Sequence, residues 1–245
     1  MKAMIFAAGL GTRLYPLTSD RPKALVEVAG KTLLQRAIER VRDAGYNDLV
    51  INIHHFGDQI ISYLEANDNF GTAITISDER EGLLDTGGGI LKAAEWLNGE
   101  EPFLVYNVDV LSNIDLSLFR KYHLERGGVA TLVVRDRSTA RYLAFDESMQ
   151  LSGWKNIQTG QEILSGNNLE CNLLAFSGIQ IVNPAIFNLI TETGSFPIIQ
   201  LYLRLATDHP IYGYNDQSSL WIDLGKPERI IEAENYLGSA KTGKH

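Results

Sequence analysis

The chain opens Met1-Lys2-Ala3-Met4-Ile5-Phe6-Ala7-Ala8-Gly9-Leu10-Gly11-Thr12-Arg13-Leu14-Tyr15-Pro16-Leu17-Thr18, an apolar run that breaks into glycines and then into a cation. Ala3–Ala8 has the length of a buried strand and is too short for a membrane span or a secretory apolar segment. Directly behind it, Gly9 and Gly11 let the backbone turn its N–H groups inward, because glycine tolerates positive φ and puts no side chain before a phosphate oxygen. Ala8, Gly9, Gly11 and Thr12 are therefore candidate nucleotide contacts, and Arg13 and Lys23 add positive charge. Two common phosphate motifs do not fit. No Gly-Lys-Ser/Thr closes the loop, and Leu14 stands where a dinucleotide fingerprint has its last glycine.

Outward from this loop, buried apolar runs alternate with helical patterns. Strands are predicted at Leu49–Ile53, Ala73–Ile76, Phe103–Tyr106 and Ala130–Val134, and helices at Leu33–Ala44, Gln59–Leu64, Ile90–Leu97 and Leu116–Glu125. That alternation is the pattern of an α/β fold with a mostly parallel central sheet and helices on both faces. From Asp136 to Cys171 the pattern breaks into short pieces, Tyr142–Phe145, Leu151–Trp154 and Glu162–Leu164, with a turn at Ser165-Gly166-Asn167-Asn168, which predicts a small antiparallel insertion. The α/β pattern resumes with a strand at Leu174–Val182, a short helix opened by Pro184, a helix at Ile198–Ala206, strands at Ile211–Tyr214 and Leu220–Ile222, and a helix at Pro227–Leu237. No linker or repeat interrupts the chain. The expectation is one domain over 1–237, with halves at about 1–135 and 136–237 and a frayed tail at 238–245.

The 245 residues are 44% hydrophobic and 21% charged, as in ordinary globular chains, and Gly and Pro show no period. The net charge of −8 argues against general attraction to nucleic acid or an anionic membrane, so an anionic ligand must be met by a local basic pocket. The single cysteine, Cys171, has no disulfide partner, and no Cys/His spacing suggests zinc. A reducing, cytoplasmic setting is expected.

Two further clusters carry chemistry. In Leu84-Asp85-Thr86-Gly87-Gly88-Gly89-Ile90, Asp85 or Thr86 suits the cap of a helix beginning near Ile90. Three glycines exceed what a cap requires and leave a flat surface for a base or sugar. In Val105-Tyr106-Asn107-Val108-Asp109 an acid follows a buried strand, where ligands of open α/β sheets bind. Leu220-Trp221-Ile222-Asp223-Leu224-Gly225 places a second acid at a strand end. Magnesium takes carboxylate oxygens together with phosphates and waters, so Asp109 and Asp223 are the candidate metal ligands and Mg2+ the candidate cofactor.

Gly9-x-Gly11-Thr12-Arg13-Leu14-x-Pro16-Leu17-Thr18 followed by Pro22-Lys23-Ala24-Leu25 resembles the signature loop of the sugar-1-phosphate nucleotidylyltransferases. The resemblance spans Met1 to about Leu237. It implies a three-layer Rossmann-like nucleotide-diphospho-sugar transferase fold, with the nucleotide on the first half and the sugar on the part from 136 to 237. It implies that the loop holds a nucleoside triphosphate, that Arg13 stabilises charge on its phosphates and the departing pyrophosphate, and that Lys23 holds the reacting phosphates. Asp85, Thr86 and Gly88 fall in the turn that relatives use for the nucleoside, and acids at the positions of Asp109 and Asp223 hold the metal ion. The catalytic candidates are Arg13, Lys23 and Asp109, and the sugar-binding candidates are Asn107, Gly178 and Trp154. The reaction implied is attack by a sugar 1-phosphate on the α-phosphorus of the triphosphate.

Compact length, Thr86-Gly87-Gly88-Gly89-Ile90 and Phe176-Ser177-Gly178-Ile179 look most like the N-acetylmuramate 1-phosphate uridylyltransferases of cell-wall recycling, and mannose and heptose 1-phosphate guanylyltransferases look nearly as similar. A length of 245 leaves no room for the β-helix of the bifunctional acetylating members. Many relatives carry Glu-Lys-Pro where this chain has Trp154-Lys155-Asn156, so Lys155 either substitutes for that lysine or does not. Arg135, Arg137 and Arg141 suit an acidic sugar substituent or a charged hairpin edge equally. Trp154 and Trp221 suit stacking on a sugar or completion of a core. His54 and His55 lack the partner of a helical zinc site and fit a loop or core role better, with Asn52 and His54 the alternative candidates for lining the pocket. A reading of another class, an idle sensor of nucleotide sugars, would dispense with the metal acids, and cytidylyl transfer to phosphocholine would call for aromatics around an ammonium group.

Overall fold

The computed structural model describes residues 1–164 and 171–242. In order the chain forms β1 (Lys2–Phe6), β2 (Glu27–Val28), β3 (Lys31–Thr32), α1 (Leu33–Asp43), β4 (Asp48–Ile53), α2 (Gly57–Ala66), β5 (Ala73–Asp78), α3 (Asp85–Lys92), α4 (Ala94–Leu97), β6 (Phe103–Asn107), β7 (Val110–Ser112), α5 (Leu116–Arg126), β8 (Ala130–Arg135), β9 (Arg141–Phe145), β10 (Leu151–Asn156), β11 (Glu162–Leu164), β12 (Asn172–Val182), α6 (Ile198–Leu205), β13 (Ile211–Asn215), β14 (Trp221–Asp223) and α7 (Pro227–Thr242). The tail expected to fray is helical as far as Thr242. Residues 243–245, and the turn expected at Ser165-Gly166-Asn167-Asn168, lie outside the described residues. Among the described residues no helix is long and apolar enough to cross a membrane.

The fold is mixed α/β, as the alternation predicts, and its contacts gather into two compact units. Unit 1 is Met1–Leu83, Tyr106–Asn113 and Leu220–His245. In it β4 pairs in parallel with β1 on one side and β5 on the other, from Lys2↔Asp48 and Asp48↔Ala73 onward. Residues 49–53 of β4 are all buried, which is why that stretch reads as an apolar run broken only by Asn52. Helix α1 buries Leu33, Leu34, Ala37, Ile38 and Val41, the three-and-four spacing seen in the sequence, and Thr32 Oγ1 caps it by accepting from Gln35 N at 3.0 Å. Each of those buried Leu, Ile and Val side chains contributes roughly 1.5–3 kcal/mol. The short strands β7 and β14 pair antiparallel, Asp223 opposite Val110.

Unit 2 is Leu84–Val105 and Ile114–Ser219. Strand β12, expected to resume the α/β pattern, runs antiparallel to both β8 and β9, and only β13 joins β8 in parallel. Strands β8 and β9 therefore run in the same sense, one after the other along β12, while the short segment between β9 and β10 joins an antiparallel pair. Strands β9, β10 and β11 form the expected antiparallel insertion. The β12–β8 register shifts between Phe176 and Gln180, where Gly178 has φ +76°.

Helix α3 begins at Asp85, five residues before the start read from the sequence, and Gly87 and Gly88 lie inside it. Phe196 and Gly194 press against those two glycines: a Cβ on Gly87 would come within 2.3 Å of the Phe196 ring, and one on Gly88 within 2.3 Å of the Gly194 carbonyl oxygen. The N–H groups of Gly87 and Gly88 donate to Phe196 O at 2.8 and 3.3 Å. Close packing here outweighs the low helix propensity of glycine, which is the term the sequence makes visible.

His123 of α5 is buried and shares a hydrogen bond of 2.8 Å with Thr131 Oγ1. Burial, with the nearby charge of Arg120 adding to it, pushes the imidazole down to about 4. Because the folded value lies below the unfolded one of about 6.5, stability is intact above pH 6.5 and declines as pH falls toward 4, by about 3 kcal/mol in all. Chemical denaturation across that range is expected to show the decline in the native protein and a smaller one in His123→Gln; equal slopes would contradict it.

Candidate active site

The glycine loop leaves β1 through a buried brace. Asn52 Oδ1, on β4, accepts from Ala7 N at 2.7 Å and Ala8 N at 3.3 Å, and its Nδ2 donates to Glu79 Oε1 at 2.8 Å. Asn52 and Glu79 are both buried, so the brace sets where the chain stands when it enters Gly9. His54 belongs to the same brace, its Nδ1 lying 2.7 Å from Glu79 O, and so has the structural role that its sequence setting favours.

Gly9 is exposed and faces open space, whereas Gly11 has φ +68° and a Cβ there would come within 2.9 Å of the Thr18 methyl and 3.0 Å of Lys23 Cβ. Gly11 is thus required twice over, by its backbone angle and by its crowding. Its carbonyl accepts from Thr18 Oγ1 at 3.0 Å and Leu14 N at 2.9 Å, closing a 3-10 turn over Thr12–Leu14. Leu14 fills the core beneath, and Thr12 and Arg13 are left exposed.

Lys23 Nζ forms an ion pair with Asp109 Oδ2, the two side chains being 12% and 16% exposed. Asp109 is held from three sides: Val108 N donates to Phe6 O at 3.2 Å, Leu224 N donates to Asp109 O at 2.8 Å, and the Tyr106 hydroxyl donates to Val110 O at 3.1 Å. Full burial pushes the Tyr106 phenol well up, so it remains a neutral donor. Asp223, opposite Val110 in the β14–β7 pair, accepts from Gly225 N at 2.9 Å. A Cβ on Gly225 would come within 2.7 Å of Arg13 Nη2 and 2.8 Å of Asp223 Oδ1, so the Arg13 guanidinium and the Asp223 carboxylate share the space that glycine leaves. Unit 1 thereby gathers Arg13, Lys23, Asp109 and Asp223 around the loop, with Asn107 half-buried at the end of β6. Sequence reading found those four charges but neither the Asn52–Glu79 brace nor Gly225, since no local motif marks either.

The remaining candidates belong to unit 2. Thr86 Oγ1 accepts from Ile198 N at 2.9 Å, so in the second motif the Thr86 hydroxyl and the Gly87 and Gly88 amides are engaged within the unit, and Asp85, at φ +57°, stays exposed. This replaces the open glycine turn of the sequence reading. A cavity of about 500 Å³ lies in the same unit, lined by Arg137, Arg141, Trp154, Phe176 and Pro197 among others. Gly178 stands at the β12 bulge, two residues beyond Phe176. Residues alternate along β10, so Trp154 and Asn156 line the cavity while Lys155 pairs with Glu162 at 3.3 Å. Arg135 is closed by Asp216 at 2.9 Å and by Ser219, a buried pair that serves the fold. Trp221 lies on β14 in unit 1 and is not among the residues that line the cavity.

A glycine loop at a strand end, two cations and two carboxylates on one mixed α/β scaffold are the equipment of an enzyme that handles nucleotide phosphates. The chain belongs to the nucleotidyl transferase family, whose profile matches residues 2–148. It is 36% identical to an N-acetylmuramate alpha-1-phosphate uridylyltransferase from Caulobacter vibrioides, the match covering 97% of each chain. A probable mannose-1-phosphate guanylyltransferase from Oryza sativa is 29% identical over 98% of this chain and 66% of its own length. A solved structure of UDP-glucose pyrophosphorylase complexed with UDP-glucose has the same fold, with a TM-score of 0.77 at 21% identity over 98% of both chains. The resemblance to sugar-1-phosphate nucleotidylyltransferases read from Gly9–Leu25 is borne out, and the chain is a nucleotidyltransferase enzyme.

Replacing Asn52 by alanine leaves two amides and Glu79 without this partner, at about 1–3 kcal/mol for each group that stays unpaired. Asn52→Ala is expected to lower the melting temperature and, by loosening the loop entry, to cut kcat/KM about tenfold or more. A variant matching the native protein in both would show that the brace does not position the loop.

Proposed function

We propose that this enzyme transfers a uridylyl group from UTP to N-acetylmuramate 1-phosphate, releasing pyrophosphate, with Mg2+ as cofactor. The gathering of Arg13, Lys23, Asp109 and Asp223 around the glycine loop carries the reaction class. The relative that matches nearly end to end supports the choice of base and sugar.

The sugar phosphate oxygen attacks the α-phosphorus, the bond to the bridging oxygen breaks, and pyrophosphate leaves with the electron pair. The attacking oxygen belongs to the substrate, so no protein nucleophile is needed, and positioning and charge stabilisation supply the catalysis. Backbone N–H groups from Ala8 to Arg13 hold the triphosphate. Arg13 offsets the negative charge that grows on the departing pyrophosphate, and Lys23 holds the phosphates that react. Asp109 and Asp223 are hard oxygen donors, and the ion pair with Lys23 shows that Asp109 faces a cation. Among the described residues no three metal-ligating side chains gather. Two carboxylates suit magnesium, which takes its remaining ligands from phosphate and water. When bound there, Mg2+ neutralises phosphate charge. The cavity of unit 2, with Trp154 on its wall, is the sugar pocket, and Gly178 in the same unit and Asn107 in unit 1 remain the further sugar-binding candidates. Asp85, exposed at the head of α3, is the nucleoside contact, and Thr86 and Gly88 hold that helix end in place.

Pyrophosphate release, measured with Mg2+ across the four ribonucleoside triphosphates and dTTP against a panel of sugar 1-phosphates, tests this directly. UTP with N-acetylmuramate 1-phosphate is expected to give the highest kcat/KM. GTP with mannose or heptose 1-phosphate standing out would overturn the substrate assignment, and silence from every pair alongside retained nucleotide-sugar binding would favour a sensor.

A further inference from the structure

The cavity of unit 2 carries a charge that the transfer reaction does not use. Among the described residues that line it, Arg137 and Arg141 are the only charged ones, although the chain as a whole has a net charge of −8. The two arginines are set differently. Arg137 is half-buried and donates from Nη2 to Phe176 O at 2.9 Å, which fixes its guanidinium against β12. Arg141 opens β9, its N–H donating to Thr139 Oγ1 at 3.3 Å, while Thr139 N donates to the Tyr142 hydroxyl at 3.2 Å, so the backbone under Arg141 is tied down. Among the described residues the Arg141 guanidinium enters no ion pair, unlike Arg135 nearby in sequence, which Asp216 and Ser219 close. Trp154 and Phe176 also line the cavity and offer apolar faces against which a sugar ring can lie.

We propose that Arg141, supported by Arg137, reads a carboxylate carried by the sugar, and that the substrate class is an acidic hexose 1-phosphate rather than a neutral one. This rests on the reading of the cavity as the sugar pocket. On the proposed function Arg13 and Lys23 are the cations for the reacting phosphate, which leaves Arg137 and Arg141 for an anion of another kind. A planar guanidinium matches a carboxylate with two parallel N–H donors, and Arg141, exposed at the start of β9, is open to such a partner. The carboxylate on the ether substituent of N-acetylmuramate is such a group, and N-acetylglucosamine, mannose and glucose have none. Arg141 is a specificity residue on this reading and takes no part in the transfer step.

The test compares N-acetylmuramate 1-phosphate with its methyl ester, which keeps the ring, the phosphate and the bulk but loses the charge. With UTP, the native enzyme is expected to prefer the acid by about 10- to 100-fold in kcat/KM, the range that a charged hydrogen bond supports. Arg141→Ala is expected to erase that preference, mainly through KM, and Arg141→Lys to restore part of it. The proposal is overturned if the acid-to-ester ratio survives in Arg141→Ala, or if the acid and the ester lose rate by the same factor, which would place the arginine on the phosphate. If no substrate pair releases pyrophosphate, the function reading has failed. Binding of the acid and the ester to native and Arg141→Ala protein, followed by tryptophan fluorescence, then decides the inference by itself: discrimination lost in the variant supports it, and no discrimination in the native protein overturns it.

Discussion

Asp223 reaches Asp109 from the far end of the chain because β14 pairs with β7, and that short antiparallel register is what the charge cluster rests on. Two hydrogen bonds fix it. Leu224 N donates to Asp109 O, so the acids are tied through the main chain, and the Tyr106 hydroxyl holds Val110 from within the core. Without the pairing, Asp109 would end a strand with only Lys23 beside it, and Asp223 would be a loop acid.

The Lys23–Asp109 pair is only partly exposed, and removing two charges from water costs about as much as their attraction returns. Its value is therefore in position rather than stability. The pair keeps a cation and an anion at the loop, and under the proposed function substrate phosphates would enter a charge pattern that already exists. Arg13 extends the same arrangement, lying over Gly225, where any side chain would push it from Asp223. Preorganised charge of this kind needs no reorganisation during the reaction.

Much of this was legible in the sequence, and the parts that were not have physical reasons. Strands β1 and β4 show as largely apolar runs because most of their residues are buried, and α1 shows because its spacing matches a helix with one buried face. The loop from Gly9 to Lys23 is dense in residues that chemistry restricts, so its charges stood out. The start of α3 was misplaced because Gly87 and Gly88 are unfavourable in a helix on local grounds, and what holds them there is Phe196, more than a hundred positions away in sequence. The direction of β12 was missed because apolar runs do not record the sense of pairing. Asn52 and Glu79 carry no motif, and their significance lies in what they touch. Among Arg135, Arg137 and Arg141, sequence weighs all three alike, and only the structure separates the one closed by Asp216 from the two that line a cavity.

The central claim is that Asp109 and Asp223 act together to hold magnesium at the loop. Pyrophosphate release at increasing Mg2+ in the native enzyme, Asp109→Asn and Asp223→Asn, with circular dichroism to confirm folding, addresses it most directly. The expected result is a fall in kcat of about 100-fold or more in each folded variant, with far higher Mg2+ needed for what activity remains. Native turnover at native Mg2+ concentration in either variant would contradict the shared site.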